Sequence, residues 1–425
     1  MFRKTLLAYS FAIVAHLALN LGSIAAAAPD EQKLGKDSGY PVGKAAKRNW
    51  LDDESMRVGS FTHQAEIAGF YNGKPNVLQR ADKPMLLAKA AQEPDYRWDI
   101  DQTRDLSVDD YLARQRIMGL IIVKDGMVQV ERYQYDRKPS HRFTSQSMAK
   151  SVTALAIGFA LTEGRIKSLD ERADKYAPKL SGTVFGETTI RNLLRMSSGA
   201  LLQQSYDGTG DSARFDMAIA REGIEAAARL VTTREAEQGT RFNYSSAHTA
   251  MLAAVLRGAT GVSVSEYLTP RLWQSIGAEE TALWSAERTG LEVASGNFNA
   301  TLRDYARLGV VLANDGVRTD DPAKKQIIPL EFLLDATDWK RAPLQFRPGK
   351  ATPYMGYGYQ FWIFPGERRR FALLGVYGQS IYIDPGQRLV MVQTGVNSTA
   401  EAGKNTLARD RLVFWRGVVR YYGKW

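Results

Sequence analysis

The order of patterns along the chain predicts an α+β fold: an antiparallel sheet flanked by helices, with an all-helical subdomain inserted between two groups of strands. Three observations carry that expectation. Residues 119–133 have the pattern of a β-hairpin, residues from about 165 to 335 read as helical, and residues 357–393 return to short strand-like runs before a last amphipathic helix at 406–422. Strands, then helices, then strands is the order produced by an antiparallel sheet with an insertion, whereas a parallel sheet requires strand and helix to alternate.

Residues 1–28 read as an export leader. Arg3 and Lys4 form a basic start, Leu6 to Leu21 an apolar stretch, and Ala25-Ala26-Ala27-Ala28 a small-residue cleavage region before Pro29. The expectation is an exported, periplasmic protein with no stable membrane insertion once the leader is removed. Its 425 residues contain no Cys. Thiol, haem-thiolate and Cys-zinc chemistries are therefore excluded, and the fold must stand on its core. The formal charge is +10, with basic residues scattered among acids and no aromatic interleaving, which argues against a nucleic-acid partner. Residues 29–95 are polar and Gly/Pro-punctuated; they read as an irregular extension wrapped on the domain at 96–425, with no chemistry of their own.

Ser107 to Asp110 has the form of a helix cap and opens a short helix to about residue 117. The hairpin follows, with Asp125-Gly126 as a two-residue turn between β-branched runs. Met148 to Leu161 is Ala-rich, apolar on most faces and stops at Gly164, so it reads as a buried helix. The inserted block reads as helices at 188–199, 212–231, 246–258, 263–275 and 301–314, without a strand pattern of note. Tyr357–Ile363, Phe371–Leu374, Gln379–Ile383 and Leu389–Gln393 read as strands separated by Pro365-Gly366 and Asp384-Pro385-Gly386 turns.

The start of the buried helix carries the chemistry. Ser147 and Lys150 are three residues apart and share one helix face. A Ser-x-x-Lys pair is expected about once by chance in a chain this long, so spacing alone decides little. Its position at the mouth of a very apolar helix, where a backbone N–H also points outward, suits a nucleophile, its base and an oxyanion donor. Tyr244 precedes the next apolar helix and can serve as a proton shuttle beside such a pair. His248 lies one turn further on, but no G-x-S-x-G elbow accompanies it, and it reads as a core histidine. With few histidines and no His-E-x-x-His, no catalytic metal or other cofactor is expected. Gly375-Val376-Tyr377-Gly378-Gln379 interrupts two apolar runs, and its glycines allow a ligand close to the backbone.

Ser147-x-x-Lys150, then Tyr244-Ser245-Ser246, then a Gly-rich strand near the C-terminus resembles the serine β-lactamase and penicillin-binding-protein superfamily, class C type. Gly375 to Pro385, Tyr357 to Trp362 and Phe298 to Gly309 are similar to the 6-aminohexanoate-dimer hydrolase and family VIII-like esterase branch. The resemblance implies a β-lactamase/transpeptidase-like fold, Ser147 as nucleophile, Lys150 as general base and Tyr244 as proton shuttle. It implies an oxyanion hole from the N–H groups of Ser147 and Val376, with Gly375, Tyr377, Gly378, Gln379 and Ser246 around the substrate. Two positions depart from the penicillin-recognising members: Ser246 stands in place of Asn, and Leu373-Leu374-Gly375 in place of Lys-Thr-Gly. With a cationic anchor missing there, unless Arg368, Arg369 or Arg370 supplies one, the expected substrate is a small ester or linear amide. A D-amino-acid peptidase, a weak β-lactamase and an idle binding protein of the envelope are the alternatives. Tyr206, Trp284, Tyr357 and Tyr377 are the aromatic residues expected to line a cleft between sheet and helical block.

Overall fold

A computed structural model describes residues 29–44, 49–67, 71, 73–206, 208–400 and 407–425. The leader expected at 1–28 lies outside the described residues. The main sheet has seven antiparallel strands in the order Met127–Tyr133, Ile117–Lys124, Leu389–Gly395, Gln379–Asp384, Phe371–Gly375, Trp362–Ile363 and Gly356–Tyr357. The hairpin turn is as the sequence requires: Asp125 and Gly126 both take positive φ, 52° and 80°, the left-handed pair that matches strand twist. The sheet is covered on both faces, and the period of two in each strand decides what faces where. Ile121, Val123, Ile381, Val390 and Val392 join the core beneath helix Leu302–Ala313, while Leu120, Ile122, Tyr382 and Met391 pack with helix Leu407–Tyr422. Helix 302–313 approaches closely because Gly309 has no side chain: a Cβ there would lie 2.5 Å from Val390 Cγ1.

Helix Val108–Arg114 begins with the capping box read from the sequence, Ser107 and Asp110 each satisfying the other's backbone N–H. The buried helix spans Ala149–Thr162, with residues 149–160 all buried, and Gly164 takes φ 69° just past its end. A single 3₁₀ turn, Gln146–Met148, precedes it. Helix Ser246–Thr260 packs beside it, capped by the Ser245 hydroxyl on the N–H of Ala247. Gly258 makes the close packing of this second helix possible, since a Cβ would stand 1.8 Å from the Tyr176 carbonyl oxygen.

Two expectations are corrected. The block 165–335 is not free of strands: Ala282–Trp284 and Phe298–Thr301 form a second, four-stranded sheet, flanked by Asn76–Leu78 and Arg142–Thr144. These strands are three and four residues long, too short for alternation to stand out from a helical background. The run Tyr357–Ile363 is not one strand but a tight hairpin, Gly356–Tyr357 against Trp362–Ile363, turned at Gln360 with φ 63°. The second sheet sets the position of Ser147. Strand Arg142–Thr144 pairs with Phe298–Thr301, the Ser145 N–H continues that pairing to the Phe298 carbonyl at 2.7 Å, and the chain then enters the 3₁₀ turn holding Ser147.

Gly258→Ala should destabilise the protein by about 1–3 kcal/mol through overpacking, although the same change at an exposed helix site stabilises by up to ~1 kcal/mol. Thermal unfolding of the two proteins checks the sign; an unchanged or raised midpoint would mean that the helix and the Tyr176 turn have room to separate.

Candidate active site

Ser147 stands at the junction of the small sheet and the buried helix. The residue before it, Gln146, has φ 45°, an uncommon value for a side-chain-bearing residue and a mark of local constraint. One turn on, Lys150 is 1% exposed. Its Nζ donates to Ser147 Oγ at 3.0 Å, to Ser246 Oγ at 3.2 Å and to the Ser295 carbonyl at 2.7 Å. Those acceptors satisfy all three hydrogens of an ammonium. For a neutral amine they leave a defined alternative: the Ser295 carbonyl can only accept, so it keeps one N–H, and the lone pair can face the Ser147 hydroxyl.

Burial pushes the Lys150 pKa down to about 7, against the smaller upward pull of the Asp216 carboxylate. Near neutral pH the amine is therefore divided between its two protonation states. Tyr244 stands just ahead of the second helix, and burial holds its phenol up at about 12 against the smaller downward pull of Ser147. The ring lies 5.3 Å below Lys150 Nζ. Trp362 stacks on it at 5.5 Å and Tyr357 meets it edge-on at 6.0 Å, so a box of aromatic side chains fixes its direction.

The remaining wall is the Gly-rich turn. Strand Phe371–Gly375 ends against the turn that holds Ser147: a Cβ on Gly375 would lie 2.5 Å from the Ser145 carbonyl. Val376 and Tyr377 follow and line a cavity of about 370 Å³ together with Ser147, Ser246, Gln204 and Asp216. Tyr377 holds φ 61°, again a left-handed value on a bulky residue.

Not every expected residue reaches the cavity. Gln379 is buried with its amide turned away, donating to the Gly395 carbonyl at 2.7 Å and accepting from the Gly395 N–H at 3.0 Å, so it braces two strands. Gly378 packs on Asn397, 3.1 Å from its would-be Cβ. Of the four expected aromatic residues, Tyr206 and Tyr377 line the cavity. Trp284 is fully buried in the small sheet, and Tyr357 backs Tyr244 instead. His248 is buried, its Nε2 2.8 Å from Ser198 Oγ, with burial lowering its pKa to about 4.

Neither Leu373 nor Leu374 lines the cavity, and no arginine of 368–370 fills the gap. Arg370 pairs with Asp384 at 2.5 Å in the core, and Arg369 bonds Thr337 Oγ1 at 2.9 Å. Among the described residues the arginine that lines the cavity is Arg221. Sequence reasoning missed the Ser295 carbonyl as well as Gln204, Asp216 and Arg221. Ser295-Gly296-Asn297 has turn composition, but nothing in it says where a carbonyl points. Among the described residues no cluster of three or more His, Cys, Asp or Glu could hold a metal ion.

Comparison with known proteins places these residues in a wider group. The family model described as Beta-lactamase matches residues 106–411. The 6-aminohexanoate-dimer hydrolase of Paenarthrobacter ureafaciens is 26% identical over 308 residues, 71% of this chain and 78% of that protein. A solved structure from Bacillus anthracis bearing the same hydrolase name superposes with a TM-score of 0.75 at 26% identity, over 92% of this chain and 99% of that one. A family VIII carboxylesterase superposes with a TM-score of 0.53 at 15% identity, over 72% of this chain and 93% of that one, which is likeness of fold.

The Lys150 environment makes a direct expectation. NMR titration of isotopically labelled lysine should show one amine titrating near pH 7, absent in Lys150→Met. Asp216→Asn should move it lower still, because the carboxylate holds the ammonium form up. A Lys150 that titrates with the surface lysines would contradict the burial described here.

Proposed function

The chain belongs to the beta-lactamase family, and from that premise we propose that it is a serine hydrolase that opens a small ester or linear amide through an acyl-enzyme on Ser147. The observation that carries this reading is the buried amine of Lys150, 3.0 Å from the Ser147 hydroxyl with its pKa lowered to about 7. A serine beside a solvated ammonium has no base. A serine beside a desolvated amine has one near neutral pH.

The neutral Lys150 amine takes the Ser147 proton as Oγ adds to the substrate carbonyl. The charge gathered on the carbonyl oxygen goes to the N–H groups of Ser147 and Val376, on the two turns that Gly375 allows to meet. As the tetrahedral intermediate collapses, the leaving alkoxide or amine takes the Tyr244 proton, and the Lys150 ammonium restores it. Water then adds to the acyl group, its proton accepted by the same Lys150–Tyr244 pair, and as the C–O bond to Ser147 breaks and the acid departs the pair returns that proton to Ser147 Oγ. The phenol, held at about 12, stays protonated at neutral pH. This assigns the base to Lys150 and the acid to Tyr244.

The identity of the substrate rests on the relatives and on the cavity. The Paenarthrobacter relative is named for hydrolysis of a 6-aminohexanoate dimer. Among the described residues the cavity carries apolar and aromatic side chains beside one carboxylate, Asp216, and one guanidinium, Arg221. The leader pattern of residues 1–28 supports export to the periplasm.

The decisive experiment is labelling with a fluorophosphonate probe followed by peptide mapping. The adduct should fall on Ser147, and Ser147→Ala should lose both labelling and hydrolysis of p-nitrophenyl butyrate. An adduct on another serine, or full activity in Ser147→Ala, would overturn the assignment.

The pH profile supplies a second expectation. A base whose folded-state pKa is lowered to about 7 is active above that value and lost below it. kcat/KM should therefore fall about tenfold per pH unit below pH 7 and level off above it, without a descending limb from Tyr244 through pH 10. A bell centred near pH 5 would point to a carboxylate base instead.

A further inference from the structure

We propose that the segment Asn49–Thr62, ahead of the family domain, is a working part of the active site: Trp50 and Leu51 form the wall that selects an apolar chain on the substrate, and Arg57 is the positioning residue that locks this wall to the Val376–Tyr377 turn. The inference rests on the acyl-transfer reading of Ser147 and adds to it a specificity determinant in a stretch whose sequence advertises none. The matched family domain begins at residue 106, so these residues lie outside it.

Three observations carry the proposal. First, Trp50, Leu51 and Tyr71 line the same cavity as Ser147, Ser246 and Tyr377. An indole, an aliphatic side chain and a phenol ring in the lining offer surface suited to methylene or aryl groups. Secondly, Arg57 is 2% exposed and joins the wall to the turn. Its Nε and Nη2 both donate to the Leu51 carbonyl, at 3.1 and 2.9 Å, and its Nη1 donates to the Asn397 carbonyl at 2.7 Å. The guanidinium lies 4.6 Å over the Tyr377 ring. A planar donor fork that grips one carbonyl twice while stacking on a ring is a use of arginine that lysine cannot reproduce. Thirdly, Tyr377 needs such support. Its φ of 61° persists only where its surroundings over-determine it. Those surroundings are Arg57 on the ring face, Phe61 edge-on at 5.5 Å, and the Asn397 N–H donated to its carbonyl at 3.0 Å. Two of the three come from the N-terminal segment.

The chemistry that would recognise this wall is an unbranched alkyl or aryl group within a few bonds of the scissile carbonyl. Burying it against Trp50 and Leu51 should raise kcat/KM by about threefold to fourfold for each methylene enclosed. The test compares the full-length protein with Trp50→Ala, Leu51→Ala and Arg57→Met on two series. One is p-nitrophenyl acetate, butyrate and hexanoate; the other is methyl, butyl and hexyl acetate, which lengthens the leaving group instead.

The readout is the hexyl-to-short ratio of kcat/KM within each series, whatever happens to the absolute rates. The expected result is a ratio of ten or more in the native protein in at least one series. That ratio should fall at least fivefold in Trp50→Ala and Leu51→Ala, and also in Arg57→Met, which touches no substrate. Equal ratios in the native protein and in Trp50→Ala and Leu51→Ala would overturn the proposal, as would a loss uniform across chain lengths. Leu51 is only partly buried, so its variant keeps the test open should Arg57→Met fail to fold. Failure of the underlying reading is recognised separately on the native protein: no fluorophosphonate adduct on Ser147 and no ester turnover would remove the acyl-enzyme and this proposal with it.

Discussion

The site depends on one constraint, the removal of a primary amine from water. An ammonium in a dry interior is costly unless its hydrogens are accepted, and the cost appears as a lowered pKa. Here the three acceptors come from three separate places: the 3₁₀ turn after strand Arg142–Thr144, the first turn of helix Ser246–Thr260, and the carbonyl of Ser295 ahead of strand Phe298–Thr301. None is near another in sequence, and of the three only Ser147 is near Lys150. Misplacing any of these elements would leave the amine either hydrated, and so a poor base, or buried without a partner. The apolar helix, the second helix packed on it and the small sheet are in this sense the housing of a single nitrogen.

The fold was legible in the sequence where periodicity was long or a turn was chemically specific. Asp125-Gly126, the Ser107–Asp110 cap and the apolar run after Met148 each state their geometry locally. The small sheet was not legible, because strands of three or four residues are too short to declare a period and acquire their identity only from partners two hundred residues away, as Leu78 does from Ala282. Ser147, Lys150 and Tyr244 could be singled out because their chemistry resides in side chains. The Ser295 carbonyl could not, since every residue has one and only the folded backbone aims it. Gln379 shows the converse: a polar residue beside a Gly-rich turn looks like a ligand contact, yet its amide closes a gap between two strands.

The boundary of the family domain and the boundary of the site do not coincide. Residues 49–62 fall outside the matched region, yet they bury Arg57 and Phe61 against Tyr377 and contribute Trp50 and Leu51 to the cavity. A segment can look irregular and polar in sequence because its apolar residues, few and unevenly spaced, face a single target instead of following a helical or strand period.

The position of strand Leu389–Gly395 has a temporal meaning. It lies between the first hairpin and the strand that follows the Gly-rich turn, pairing Ile121 with Val392 on one side and Val392 with Ile381 on the other. A nascent chain emerging N-terminus first has made the serine, the lysine and the tyrosine long before this strand exists, and until then its sheet is in two pieces. Long-range closure of this kind slows folding. It also makes the assembled site a property of the finished polypeptide: a chain interrupted during synthesis would carry Ser147, Lys150 and Tyr244 without the strand that joins the two parts of the sheet.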